Sequence, residues 1–492
     1  MISTKILKYV SLVLAVFLTV ALVVTFTKLA PLIIAVGLVL FFLILKIVEK
    51  PWFGAVLVAF LLPFERIGSF DLASLTVRPS QVFAIITLLA WIALFLTQKK
   101  GFKIKNPLIV PVFVFLALSV LSFIKAINIE RSILVFAFEF FVILMSLALG
   151  DLIKDKKILK KVILALLLST FIVSIFGIYQ FLGDMAGLPK ELTGLREHYT
   201  KSVFGFPRVQ STALEPLYYG NFLLIPISFL LVFYFSGVKK NNKSEPDRVF
   251  TLSRLSVMVL LGLATLNLVL TVSRGAYLAF GVVLVLVFLL FFKYFIKPSR
   301  LIPLVLVVIV VAVAVFQFVG LDERSGLDTF VGHSTNFSTG VALEERSRTY
   351  DQALEMAKRN PLLGVGVGNF GPEVAQSPYT TPRDGWLIAN NLYLEILAER
   401  GVLGLLAFLG LLAFLYIRSL KAFKFGQDKE LKIVLLGFLI ALTAILVQYN
   451  TFSILYIFHF WFLIGLLIAV QNMLLKGSQN KKMESGVSEK SR

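Results

Sequence analysis

Between Leu255 and Val319 the chain has no acidic side chain, and its four basic ones (Arg274, Lys293, Lys297 and Arg300) sit near the joints of three long apolar runs. A run of about 17–25 apolar residues, coiled as an α-helix, matches the hydrocarbon thickness of a bilayer. In lipid the backbone must satisfy its own N–H and C=O groups, which leaves only helices and closed barrels. The pattern recurs at residues 6–26, 30–47, 52–64 (short), 82–96, 108–123, 133–150 and 162–182. It continues at 221–236, 255–271, 277–296, 301–319, 402–417, 433–448 and 453–470. The expected fold is an all-α polytopic membrane protein, with about 14 (12–14) transmembrane helices and a large extracytoplasmic loop. Composition agrees, at 58% hydrophobic and 15% charged, where a soluble domain has about 45–50% and 25%. With no Cys there is neither a disulfide framework nor a thiolate zinc site. His198, His333 and His459 lie far apart, which argues against a histidine metal cluster.

The net charge of +20 reads as topology, with no nucleic acid implied. With the N-terminus inside, every even-numbered connection is basic: Lys46 and Lys50, Lys99 to Lys105, Lys154 to Lys161, Lys239 to Arg254, Lys293 to Arg300, and Arg418 to Lys432. The tail with Lys476, Lys481 and Lys482 follows suit, as expected when Lys and Arg gather in cytoplasmic loops. Lys5 and Lys8 resemble the start of a signal peptide, but the long run after them has no clear small-residue cleavage site, so an uncleaved span is expected. The expected division is 1–182 N-terminal helices, 183–220 first outer loop and 221–319 central helices. A large outer loop at 320–390, C-terminal helices at 391–472 and a basic cytoplasmic tail at 473–492 complete it.

Long outer loops usually carry function. The larger one predicts a surface helix over 344–359, opened by Glu344 and Glu345, closed by Lys358 and Arg359, and stopped by Pro361. Tyr350, Ala353, Leu354 and Ala357 share one face of it at helical spacing. Gly364, Gly366 and Gly368 lack the Lys-Ser/Thr of a P-loop and follow a helix and a Pro, so a flexible turn is expected there.

Four places bear chemistry. Thr271-Val-Ser-Arg274-Gly275-Ala276-Tyr277 is a tight outer turn; its Arg274 is either an interfacial charge or an anion clamp, since a guanidinium grips phosphate with two parallel hydrogen bonds. Arg208 and Glu215 close the first outer loop, and an acid just before a span is costly unless paired or used. Asn390-Asn391-Leu-Tyr-Leu-Glu395-Ile-Leu-Ala-Glu399-Arg400-Gly401-Val-Leu-Gly404 runs into a span, with acids at i and i+4. Inside the spans, Glu139 is the clearest deep acid, while His459 fits a packing or hydrogen-bonded role.

The Ser273-Arg-Gly-Ala276 turn resembles the bacterial O-antigen ligase/polymerase superfamily. So do Arg346-xxx-Tyr350-xx-Ala353-Leu354, Pro361-Leu-Leu-Gly-Val-Gly-Val-Gly-Asn-Phe370, and Asn391-Leu-Tyr-Leu-Glu-Ile-Leu-Ala-Glu-Arg-Gly401-Val-Leu-Gly404. The likeness is firm from about Thr271 to Gly410.

It implies a metal-independent glycosyltransferase without cofactor on the outer face of the bacterial cytoplasmic membrane. Its partners would be an undecaprenyl-pyrophosphate-linked glycan, a sugar or lipid-sugar acceptor, the lipid bilayer and a chain-length regulator protein. The resemblance places Arg208, Arg274 and Arg346 on the pyrophosphate. One position departs from the family: ligases carry a His ahead of the nine-residue spacer to Gly401, and this chain has Asn390. An amide cannot take a proton at neutral pH, so the base is expected at Glu215 first and Glu395 second, with His198 or His333 reaching over from the loops and Asn390 orienting the acceptor. This leans towards a polymerase. The alternatives are a transporter or lipid-linked glycan flippase without chemistry, and a cell-wall glycan polymerase of another family.

Overall fold

Apolar stretches free of turn residues coil into helices, and capping side chains decide where they start. The computed structural model describes residues 30–72, 75–97, 106–236, 252–295, 297–319, 332, 341–374 and 387–489. The expected span at 6–26 and His333 lie outside the described residues. The helices are α1 (Ala30–Glu49), α2 (Pro51–Leu61), α3 (Pro79–Thr97), α4 (Ile109–Leu121), α5 (Ile129–Leu152), α6 (Lys156–Met185) and α7 (Pro216–Phe235). They continue as α8 (Arg254–Leu270), α9 (Arg274–Phe295), α10 (Pro298–Val319), α11 (Val341–Arg359), α12 (Leu392–Phe425), α13 (Lys429–Gln448) and α14 (Phe458–Glu489). A small antiparallel hairpin, β1 (Phe70–Leu72) and β2 (Leu75–Val77), precedes α3.

The starts have visible causes. Asn128, Asp155, Ser253, Asn391 and Asp428 accept hydrogen bonds from first-turn N–H groups of α5, α6, α8, α12 and α13. Pro51 and Pro216 occupy first helical positions, where no N–H is needed.

Among the described residues, eight helices are long and apolar enough to cross a membrane: α5, α6, α7, α9, α10, α12, α13 and α14. Shorter apolar helices cover Pro51–Leu61, Pro79–Leu94, Ile109–Lys125 and Arg254–Leu270. The all-α polytopic class therefore holds, while fourteen full-length spans are not seen among the described residues. The run at 52–64 shows why. Pro63 disfavours helix at the residue before it, and α2 closes at Leu61 after 11 residues. At 1.5 Å per residue that covers only about half of a hydrocarbon core roughly 30 Å thick.

The most deeply enclosed helices are α7 and α14; α7 packs along α13, and α14 along α5. By contrast α10 is almost wholly uncovered, and Phe113, Leu289, Val308 and Val310 point outward. Lipid, not water, suits such a surface. Lys156 pairs with Asp428, bringing the starts of α6 and α13 together, while Lys46 lies over Phe53 and Lys161 over Trp52 at 4.4 and 4.3 Å.

Candidate functional site

Arg274 heads α9, and small residues behind it set its position. A side chain at Gly275 would overlap Thr451 Oγ1 and meet Gln448 at 3.6 Å; one at Gly220 would meet Ala276 at 2.9 Å. The Arg-Gly-Ala sequence is thus the condition for seating α9 tightly against α7 and the turn after α13. Before it, Val272 takes φ +48, a left-handed conformation that strains a β-branched residue.

Arg208 lies on that same turn. Its backbone neighbour Val209 donates to Leu270 O (2.9 Å), and its guanidinium donates to Val272 O (3.2 Å) and Thr271 O (3.4 Å). The Tyr199 ring stands 5.8 Å away. Half-buried, the Arg208 guanidinium is pushed below the usual arginine range by loss of solvent; Tyr199, Tyr277 and Glu215 oppose this and Arg274 reinforces it. Glu215 is the residue from which α7 starts, and its side chain does not cap the helix.

The Arg208–Glu215 segment is braced from two sides. Buried Glu65 accepts from Leu214 N–H (3.0 Å), and Thr212 O takes the N–H groups of Glu65 and Arg66. From α6, Gln180 is hydrogen-bonded to Ser211 in both directions, at 2.7 and 3.0 Å. Ser211, with φ +51, is a second left-handed residue.

Arg346 reaches the same region from α11. Burial pushes its guanidinium down, Tyr350 opposes, and the charge of Arg274 adds to the lowering. One turn on, Tyr350 donates to Asn450 O (2.8 Å) and Asn390 O (3.4 Å), and Thr349 to Ala389 O (3.0 Å). The buried face of α11 is Thr349, Ala353, Met356 and Ala357. Leu354, expected on that face, is exposed, because the contact with α12 runs along the Ala353–Met356 side.

Asn390 has φ +55, which Asn tolerates better than most residues. Glu395 holds this turn: its carboxylate accepts from Ala389 N–H and Ser453 Oγ, both at 2.7 Å. Its neighbour Glu399 accepts from Phe370 N–H (3.2 Å), and Arg400 forms a buried ion pair with Glu139 of α5.

The glycine motif, expected to be a flexible turn, is instead buried and fixed. Gly364, Gly366 and Gly368 all have positive φ, and the segment from Gly364 to Phe370 is buried. A side chain at Gly364 would strike the backbone of Glu399, and one at Gly401 (φ +64) the backbone of Leu362. Val365 N–H and Gly366 N–H donate to Ala398 O and Glu399 O (2.9 Å each), and Val402 N–H to Pro361 O (2.8 Å). Asn369 then fastens the segment to α5, donating to Ser132 Oγ (2.7 Å) and accepting from Asn128 N–H (2.8 Å).

The structure thus brings Arg208 within electrostatic reach of Arg274 and Glu215, and Arg346 within reach of Arg274. Glu395 serves the Asn390 turn from the other side, and His198 is exposed on a short turn. Sequence reading did not single out Glu65, Asn369 or Gln448, since each acts on a segment remote in the chain.

No curated protein matches the chain. Residues 249–409 match the family model described as O-Antigen ligase, a stretch that carries Arg274, Arg346, the buried glycine turn and the Asn390–Gly404 helix start but stops short of Arg208 and Glu215. The stretch that carries Arg274 at the head of α9, Arg346 and the buried glycine turn is thus similar to the O-antigen ligase family.

Proposed function

We propose that the protein transfers glycan from an undecaprenyl-pyrophosphate carrier to a sugar or lipid-sugar acceptor at the outer face of the bacterial cytoplasmic membrane, without metal. The observation that carries this is the placing of Arg208 near both Arg274 and the Glu215 carboxylate, with Arg346 near Arg274. Three cations held together repel one another, and a diphosphate relieves the repulsion. The acceptor hydroxyl oxygen attacks the anomeric carbon, the bond from that carbon to the pyrophosphate oxygen breaks, and the hydroxyl proton passes to Glu215. Lipid pyrophosphate leaves with the bonding electrons, and the arginines stabilise the charge that develops on it.

Glu215 is preferred to Glu395 as base because it stands at the entry to α7 beside Arg208. Asn390 orients the acceptor. Its presence in place of histidine favours polymerase over ligase. A transporter reading loses its main support, since Glu139, the deep acid, is paired with Arg400.

The test is transfer by purified protein from a lipid-diphosphate-linked glycan, with and without chelator. Arg274→Ala abolishes turnover and Arg274→Lys restores little, because lysine lacks the planar fork. Full activity of Arg274→Lys, or loss of activity with chelator reversed by one divalent ion, refutes the corresponding part. In a deletion strain, loss of long chains with single units still attached identifies a polymerase; long chains left on the carrier identify a ligase.

A further inference from the structure

Three buried polar side chains inside the bundle take no part in this chemistry, yet they form one hydrogen-bonded chain. His459 Nε2 lies 2.7 Å from Asn221 Oδ1, Asn221 Nδ2 donates to Gln448 Oε1 (2.9 Å), and Gln448 Nε2 donates to Leu217 O (3.3 Å). They come from α14, α7 and the last turn of α13, and their exposures are 3%, 0% and 0%. Because the Asn221 amide nitrogen is occupied by Gln448, only its oxygen faces His459, so Nε2 carries the proton and donates. Polar groups enclosed in membrane-spanning helices are costly and tend to be retained for a purpose.

Where the chain ends indicates that purpose. The Gln448 side chain lies under Gly275, and its backbone carbonyl accepts both the N–H (2.8 Å) and the hydroxyl (2.9 Å) of Thr451. Thr451 fills the space that a side chain at Gly275 would need. At the other side Asn221 follows Gly220, the residue against which Ala276 packs. The chain therefore ties α7, which starts from Glu215, and the end of α13 to the first turn of α9, which starts at Arg274.

We propose that His459, Asn221 and Gln448 are positioning residues for the arginine clamp, setting Arg274 in register with Arg208 and Glu215. The proposal rests on Arg274 being a pyrophosphate ligand. His459 acts here as a neutral donor, in a fixed tautomer, and touches no substrate.

The test uses the full chain in nanodiscs, with inorganic pyrophosphate as the calorimetric probe and transfer from the lipid-linked donor as the rate. His459→Leu removes the donor and is expected to weaken pyrophosphate binding and lower turnover by roughly 10–100-fold, as a misplaced positioning group does. His459→Gln, which keeps an N–H donor, recovers most of this. Gln448→Met cuts the chain at its other end with little change in volume and reproduces the loss. In an Arg274→Ala background, His459→Leu has no further effect on pyrophosphate binding, which a purely structural role would not produce. Wild-type affinity in folded Gln448→Met, or an undiminished effect of His459→Leu without Arg274, overturns the positioning role alone. Absence of pyrophosphate binding by the wild type, or binding indifferent to Arg274→Ala, removes the clamp itself and this proposal with it.

Discussion

Removing Arg400 should be among the most damaging single changes in the bundle, and removing Glu139 as well should undo part of the damage. The pair joins α12 to α5 with both side chains 2% exposed. The guanidinium also lies 5.2 Å from the centre of the Phe115 ring. Arg400→Met keeps most of the side-chain stem but strands the Glu139 carboxylate in a dry interior. Breaking a buried pair from one side costs about 3–5 kcal/mol, or roughly two to three and a half decades in the folding constant. Replacing both ends by apolar groups of similar volume is often neutral or favourable. Unfolding in mixed micelles of rising SDS fraction, followed by far-ultraviolet circular dichroism, should rank the variants. Wild type should unfold last, Arg400→Met far earlier, and Glu139→Leu/Arg400→Met in between, because buried Glu399 also faces Arg400. A single variant as stable as wild type, or a double no better than the single, would refute this reading of the pair.

Glu215→Gln should lower transfer by at least about 10²-fold at unchanged expression, with a smaller loss for Asn390→Ala; near-normal turnover in the purified enzyme removes Glu215 as base, and a larger loss in Glu395→Gln transfers the role there. Gly275→Ala should lose most activity, and Thr451→Ala in the same chain should restore part of it by clearing the obstructing hydroxyl; failure of the second change to help would mean that another contact decides. The loop helix is expected outside and both termini inside. The chain has no native Cys, so a cysteine introduced at exposed Ser347 should react with an impermeant maleimide in intact spheroplasts, and reaction only after permeabilisation would invert the topology.

Local signals were readable in the sequence, whereas long-range pairing was not. The run of acids, bases and Pro361 was enough to expect a helix over 344–359, and one is present from Val341 to Arg359. Its buried face was misjudged by one position at Leu354, because periodicity gives a stripe but not which edge meets a neighbour. The i, i+4 acids Glu395 and Glu399 were visible. Their occupation by Ala389, Ser453 and Phe370 depends on two separate loops folding back onto α12. Likewise the glycines at 364 and 401 each suggested a turn, and only the folded chain shows their segments in contact. Glu65 carried no motif at all; its importance lies in the Leu214 N–H it holds, far along the chain.

The glycine contact between the end of α11 and the start of α12 also bears on how such an enzyme can move. Where two backbones touch with no side chain between them, nothing can yield, and the joint transmits displacement without absorbing it. Arg346 therefore rides with the outer part of α12, while Arg208 and Arg274 ride with α7 and α9. The proposed arginine site thus draws on two sets of helices. Across this divide the charge of Arg346 faces that of Arg274. An arriving diphosphate would then act as a rivet: the same contacts that hold the leaving group would draw the two halves together, and departure of the carrier would loosen them for the next cycle.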